Sequence, residues 1–138
     1  MNVNVNAPFW MMQEALGHLQ PGSSVIFTSS VQAYTPSPGL VDYAASRAAV
    51  NTMSKSLAQQ LVARGIRVNA VAPGRSGLLC RCLVGSCRTL CRPSDTRIPS
   101  VGPGQPVEMA GAYVYLASKE SSYTTGNTLS VTGGAPTP

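Results

Sequence analysis

Three short runs rich in β-branched and apolar residues, Ser24–Thr28, Ile66–Val71 and Asn127–Thr132, are set apart by longer stretches with helical character. Strands divided by helices pair in parallel, because a tight turn can join only antiparallel neighbours. The alternation therefore predicts an α/β fold with parallel strands and flanking helices. A first helix is expected over Ala7–Leu19, with Asn6 as its cap and Pro8 in its first turn, broken by Pro21-Gly22. A long helix is expected over Tyr43–Arg64, with Val50, Met53, Leu57 and Leu61 on one face and Gly65 as its C-terminal stop. Pro106 opens a third helix, Val107–Ser118. Pro36, Pro38 and Gly39 make Ser29–Asp42 irregular.

The chain has 138 residues, 43% hydrophobic and 11% charged, which suits one domain with a modest core. No apolar run approaches the ~18 residues a membrane helix needs. No Lys or Arg precedes Glu14, so a secretory signal is not expected and a cytoplasmic location is. The net charge of +5 is not spread evenly. Arg75, Arg81, Arg88, Arg92 and Arg97 fall in one stretch with a single acid, Asp95, giving it +4 and all other residues together +1. Cys80, Cys82, Cys87 and Cys91 share that stretch. Residues 75–102 therefore read as one anomalous, irregular Cys/Arg-rich insert. Its C-x-C-x4-C-x3-C spacing has no C-x2-C pair and no nearby histidine, so no metal site is expected. Without a folded reader motif, nucleic acid is not an expected partner either.

Three positions carry chemistry together. Ser30 ends the first strand, Tyr43 begins the long helix, and Arg47 is one turn further on. Residues i and i+4 share a helix face, so a fixed positive charge lies on the phenol's side. Such a charge favours phenolate, the form in which a tyrosine takes a proton. A serine hydroxyl beside it can polarise a reacting oxygen. Taken singly, these are an ordinary strand-end serine and an ordinary helix-start tyrosine. His18 reads as a surface residue, and Trp10, Met11 and Met12 as core or subunit contacts.

The ordered set of motifs resembles the short-chain dehydrogenase/reductase family. The likeness runs through Val25-Ile26-Phe27-Thr28-Ser29-Ser30, Asp42-Tyr43-Ala44-Ala45-Ser46-Arg47 and Gly65-Ile66-Arg67-Val68-Asn69-Ala70-Val71-Ala72-Pro73-Gly74. It continues in Tyr113-Val114-Tyr115-Leu116-Ala117-Ser118 and in Thr125-Gly126-Asn127-Thr128-Leu129 through Gly133-Gly134. The Gln32-Ala33-Tyr34 and Pro36-Ser37-Pro38 context resembles the glucose-dehydrogenase-like and stress-protein-like branch. This resemblance implies a partial Rossmann-like fold, the C-terminal half of one domain, over residues 1–138. It implies NAD or NADP as cofactor and hydride transfer to or from a carbonyl or alcohol carbon of a small molecule. Tyr43 becomes the general acid/base, Ser30 the substrate-orienting hydroxyl and Asn4 the relay asparagine, although a residue so near the terminus is as readily a frayed one. Arg47 would stand where the family has the lysine that favours phenolate and holds the nicotinamide ribose. Pro73-Gly74 would be the backbone facing the nicotinamide.

Three departures qualify the likeness. Arg47 keeps the charge of the family lysine but not its compact, rotatable ammonium. The sequence has no Gly-rich strand-to-helix turn for a dinucleotide pyrophosphate. Likeness also stops after Gly74 and resumes near Gly104-Gln105-Pro106. One codon choice for residues 74–79, read one base out of register, spells Pro-Ile-Trp-Ser-Ala, as the family has after Pro-Gly. A displaced reading frame is thus the working hypothesis for this stretch, and the gene sequence tests it. The two expectations for function are an NAD(P)-dependent oxidoreductase and a catalytically silent fragment that only associates with related subunits. A homo-oligomer, or association with full-length relatives, is expected through the helices Ala7–Leu19 and Tyr43–Arg64.

Overall fold

The computed structural model describes residues 1–74 and 104–134. A π-helical turn, Asn2–Asn6, leads into helix α1 (Ala7–Ala15), followed by strand β1 (Ser24–Thr28) and the long helix α2 (Val41–Leu61). Strand β2 (Arg67–Pro73), helix α3 (Pro106–Ala117) and strand β3 (Thr128–Val131) complete the order. The strands form one parallel sheet in the order β1-β2-β3. Ser24 pairs with Arg67 and Thr28 with Val71; Ala70 pairs with Thr128 and Pro73 with Val131.

The sheet is covered on both faces, which is why its strands read as nearly continuous apolar runs. Val25, Phe27, Val68 and Ala70 meet Met12 of α1 and Val50, Ala58 and Leu61 of α2. Their strand neighbours Ile26 and Val71 face the other way, against Ala112 and Leu116 of α3. The period-two alternation of a strand thus divides one short sheet between two cores. Met53 and Leu57 pack beside Val50 and Leu61, as the helical spacing predicts.

Several expected boundaries move. Asn6 does not cap α1, because the chain is already helical from Asn2; Asn6 has φ −67° and ψ −43°, and its amide donates to Asn2 Oδ1 at 3.0 Å. Helix α1 ends at Ala15, while Leu16 and Leu19 still reach the core from the turn beyond it. Trp10 and Met11 are exposed and form no part of the core; of that trio only Met12 is buried. Helix α2 starts two residues earlier than expected, placing Tyr43 within its first turn, and passes into a 3-10 turn, Val62–Arg64. Gly65 then takes the left-handed conformation at φ 69°, as its position after Arg64 predicts. Helix α3 opens with Pro106 and a capping box between Gln105 and Glu108.

Two polar side chains, Asn69 buried and Arg67 half-buried, fix the entry to β3 and the end of α3. Asn69 has no exposed surface; its amide donates to the Thr124 carbonyl at 2.8 Å and its Oδ1 accepts from the Asn127 amide at 3.1 Å. Arg67 donates to the carbonyls of Leu116 and Ser118 at 3.0 and 3.1 Å and to Ser121 Oγ at 2.6 Å. These carbonyls are the orphan acceptors of a helix C-terminus, satisfied here by a guanidinium from a strand.

The Cys/Arg-rich stretch, with its cysteines and the frame hypothesis, lies outside the described residues. Among the described residues no helix is long and apolar enough to cross a membrane, and no three His, Cys, Asp or Glu gather for a metal.

Candidate active site at the carboxyl ends of the strands

In open parallel sheets, ligands bind beyond the carboxyl ends of the strands. Here those ends carry Ser29 and Ser30 after β1, Pro73 and Gly74 at the end of β2, and Val131 closing β3. Their backbones interlock. The Ser29 amide donates to the Val71 carbonyl and the Gly74 amide to the Val131 carbonyl, each at 2.8 Å. A Cβ on Gly74 would meet Thr132 Cα at 2.8 Å, so only glycine allows this approach of backbone to backbone.

Tyr43 and Arg47 share one face of α2, as their spacing predicts. The guanidinium carbon stands 5.0 Å from the Tyr43 ring centroid, within cation–π range. Arg47 Nη1 also donates to the Thr28 carbonyl at 3.0 Å, tying α2 to the end of β1. A reciprocal tie runs from Ser29 Oγ to the Arg47 carbonyl at 3.0 Å. Two bonds in opposite directions therefore hold the strand end carrying Ser30 against the helix turn carrying Tyr43.

Ser30 is buried, and its Oγ accepts from the Gln32 amide at 3.2 Å, capping the 3-10 turn Val31–Ala33. The hydroxyls of Ser30 and Tyr43 do not bond each other, and among the described residues Tyr43 Oη has no hydrogen-bond partner. Asn4 is half-buried rather than frayed. Its amide donates to Ser46 Oγ at 3.4 Å, and Ser46 Oγ in turn donates to the Tyr43 carbonyl at 2.7 Å. The six predicted positions thus fall into two linked groups: Asn4, Tyr43, Arg47 and Ser30 around the start of α2, and Pro73-Gly74 at the end of β2.

Other participants carry no local signal in the sequence. Ser46 bridges Asn4 to Tyr43, and Ser29 anchors Arg47. Asn51, buried on α2, donates to Tyr34 Oη at 3.0 Å and accepts from Thr128 Oγ1 at 2.6 Å. That bridge ties the loop after β1 to β3. Only the polar identity of Asn51 on an otherwise core-facing turn could have drawn attention to it.

Similarity to known proteins runs over nearly the whole chain. The family model described as enoyl-(acyl carrier protein) reductase matches residues 1–136. General stress protein 39 of Bacillus subtilis is 45% identical over 132 residues, covering 95% of this chain and 46% of that protein. A short-chain dehydrogenase/reductase from Brucella melitensis, described as a glucose/ribitol dehydrogenase, superposes with a TM-score of 0.88 at 28% identity, covering 99% of this chain and 54% of that one. The angucycline C-6 ketoreductase LanV, solved with bound NADP, gives a TM-score of 0.84 at 29% identity, over 96% of this chain and 51% of that one. The chain spans about half the length of the curated relatives it matches.

Proposed function

We propose, on the premise that the chain belongs to the short-chain dehydrogenase/reductase family, that it contributes the proton-transfer half of an NAD(P)-dependent oxidoreductase site acting on a small carbonyl or alcohol. The observation that carries this reading is the Tyr43–Arg47 pair at 5.0 Å, moored to the end of β1 beside Ser30. Tyr43 Oη, unpartnered among the described residues, is available to give a proton to a carbonyl oxygen or take one from an alcohol. Ser30 Oγ, already accepting from the Gln32 amide, keeps its own proton to donate to the same substrate oxygen. Arg47 supplies a permanent positive charge over the Tyr43 ring and holds that ring in place. Asn4, through Ser46, steadies the Tyr43 turn and stands where a relay to solvent would begin.

The residues present fit one part of a dinucleotide. Tyr43, the unused Nη2 donors of Arg47 and the close-packed Pro73-Gly74 backbone would hold the nicotinamide ribose and ring. A nicotinamide bound there supplies or accepts the hydride. No Gly-rich strand-to-helix turn stands in this sequence to hold the pyrophosphate. The reading includes a cytoplasmic setting and association with further subunits through α1 and α2, whose Phe9, Trp10 and Met11 are exposed.

Titration of the purified chain with NADH and NADPH, followed by assay with a panel of small ketones and alcohols, tests the reading. Saturable binding with turnover supports it. No binding, together with capture of a related full-length subunit, would instead support the silent associating fragment.

A further inference from the structure

The amino ends of the strands, opposite the candidate active site, carry a cavity of about 570 Å³. That volume is within the range of small-molecule sites. The turns that enter the strands are laced together around it. The Gly22 amide donates to the Gly65 carbonyl at 2.8 Å, the Arg67 amide to the Ser23 carbonyl at 3.0 Å, and the Gly126 amide to the Val68 carbonyl at 2.8 Å. Gly22 and Gly65 line the cavity with φ of 91° and 69°, a backbone conformation that favours glycine. The cavity is therefore formed in advance of any ligand. The length of β2, roughly 20 Å, separates it from Pro73-Gly74.

Its lining joins apolar surface to unspent donors. Gly22, Val62 and Gly65 supply the apolar part, together with the ring of Tyr123, which is fully exposed. Arg67 and Lys119 add two positive charges, and no Asp or Glu is among the described residues that line the cavity. Arg67 makes three hydrogen bonds, to Leu116, Ser118 and Ser121, which leave at least two of its five N–H groups without a partner among the described residues. Lys119 Nζ, Ser122 Oγ and Tyr123 Oη have no partner among the described residues either. The carbonyls at the end of α3 offset part of the Arg67 charge, whereas Lys119, exposed and unpaired, keeps all of its own. Unspent charged donors with no carboxylate beside them select an anion. An aromatic face next to an apolar wall selects a flat apolar body.

We propose that this cavity is a second ligand site that takes a small aromatic anion, its planar body against Tyr123 and Val62 and its one phosphate or carboxylate group on Arg67 and Lys119. The site is independent of the role given to Tyr43.

Amide NMR of the labelled chain, titrated with phenyl phosphate and with benzoate, tests the site; inorganic phosphate and phenol serve as the anionic group and the ring alone. At least one aromatic anion should give saturable shifts at the amides of Gly22, Gly65, Ser122 and Tyr123, and the two arms tell phosphate from carboxylate. Inorganic phosphate and phenol should each bind at least about fivefold more weakly. Lys119→Ala and Tyr123→Ala replace exposed side chains, so the unliganded spectra should stay those of the folded chain, and each should weaken binding about fivefold. No saturable shift at these amides, or shifts confined to residues around Tyr43, would overturn the site. Inorganic phosphate binding as tightly as phenyl phosphate, or affinity indifferent to Tyr123→Ala, would overturn the aromatic body. Affinity indifferent to Lys119→Ala, or phenol binding as tightly as the anions, would overturn the ion contact. No readout uses NAD(P)H or turnover, so failure here is separable from failure of the functional reading above.

Discussion

The guanidinium carbon of Arg47 lies 5.0 Å from the centroid of the Tyr43 ring, one turn away on the same helix, while Tyr43 Oη has no partner among the described residues. The ring is therefore held by its face, and its hydroxyl is free for the proton transfer proposed above. Tyr43→Phe should keep the ring contact and the melting temperature, with stability changed by no more than ~0.5 kcal/mol. Any carbonyl reduction by the chain, or by an assembly containing it, should fall by about 10²–10⁴-fold. Paired melting curves and NADPH-oxidation rates check both halves. A large loss of stability with retained rate would contradict the assignment.

Arg67 joins the start of β2 to the Leu116 and Ser118 carbonyls at the end of α3 and to the Ser121 hydroxyl beyond it through three hydrogen bonds. Arg67→Ala strips a charged donor from acceptors that are partly buried and should cost about 2–3 kcal/mol. Urea denaturation should show an earlier midpoint with little change in slope. Arg67→Lys should recover only part of the loss, because one ammonium cannot span the fork that reaches Leu116, Ser118 and Ser121.

Gly74 sits where a Cβ would fall 2.8 Å from Thr132 Cα, inside any allowed contact. Gly74→Ala must push the ends of β2 and β3 apart and break the amide bond to Val131. Hydrogen exchange should show faster exchange of the Gly74 amide, with global stability lowered by about 1–3 kcal/mol. If a nicotinamide packs on this backbone, its affinity should fall in the same variant. A Gly74 amide as protected as before would refute the close approach.

Asn69 has no exposed surface and satisfies one backbone acceptor and one backbone donor of the segment leading into β3. Asn69→Leu keeps roughly the volume and removes both bonds. It should destabilise by about 2–4 kcal/mol, each stranded backbone group adding its own penalty. Chemical denaturation measures the cost. A neutral outcome would mean that water reaches these groups.

The residue pattern by itself determined the architecture. The bounds of β1 coincide with the Ser24–Thr28 run, and Gly65 stops its helix where a left-handed residue was expected. Val50 and Leu61 are buried as their spacing required, and Tyr43 and Arg47 meet on one face of α2 for the same reason. All of these follow from local sterics or from the 3.6- and 2-residue periods, which act over a few residues and are written into the chain directly. What only the tertiary structure decided involves partners far apart in sequence. The extension of helix before Asn6, the exposure of Trp10 and Met11, and the half-burial of Asn4 against Ser46 depend on which surfaces α2 leaves for the N-terminal segment. The roles of Arg67 and Asn69 depend on acceptors some fifty residues away along the chain. The orphaned Nε of Arg47 belongs with them: sequence could show a cation beside Tyr43, but whether each of its N–H groups finds an acceptor is settled only by packing.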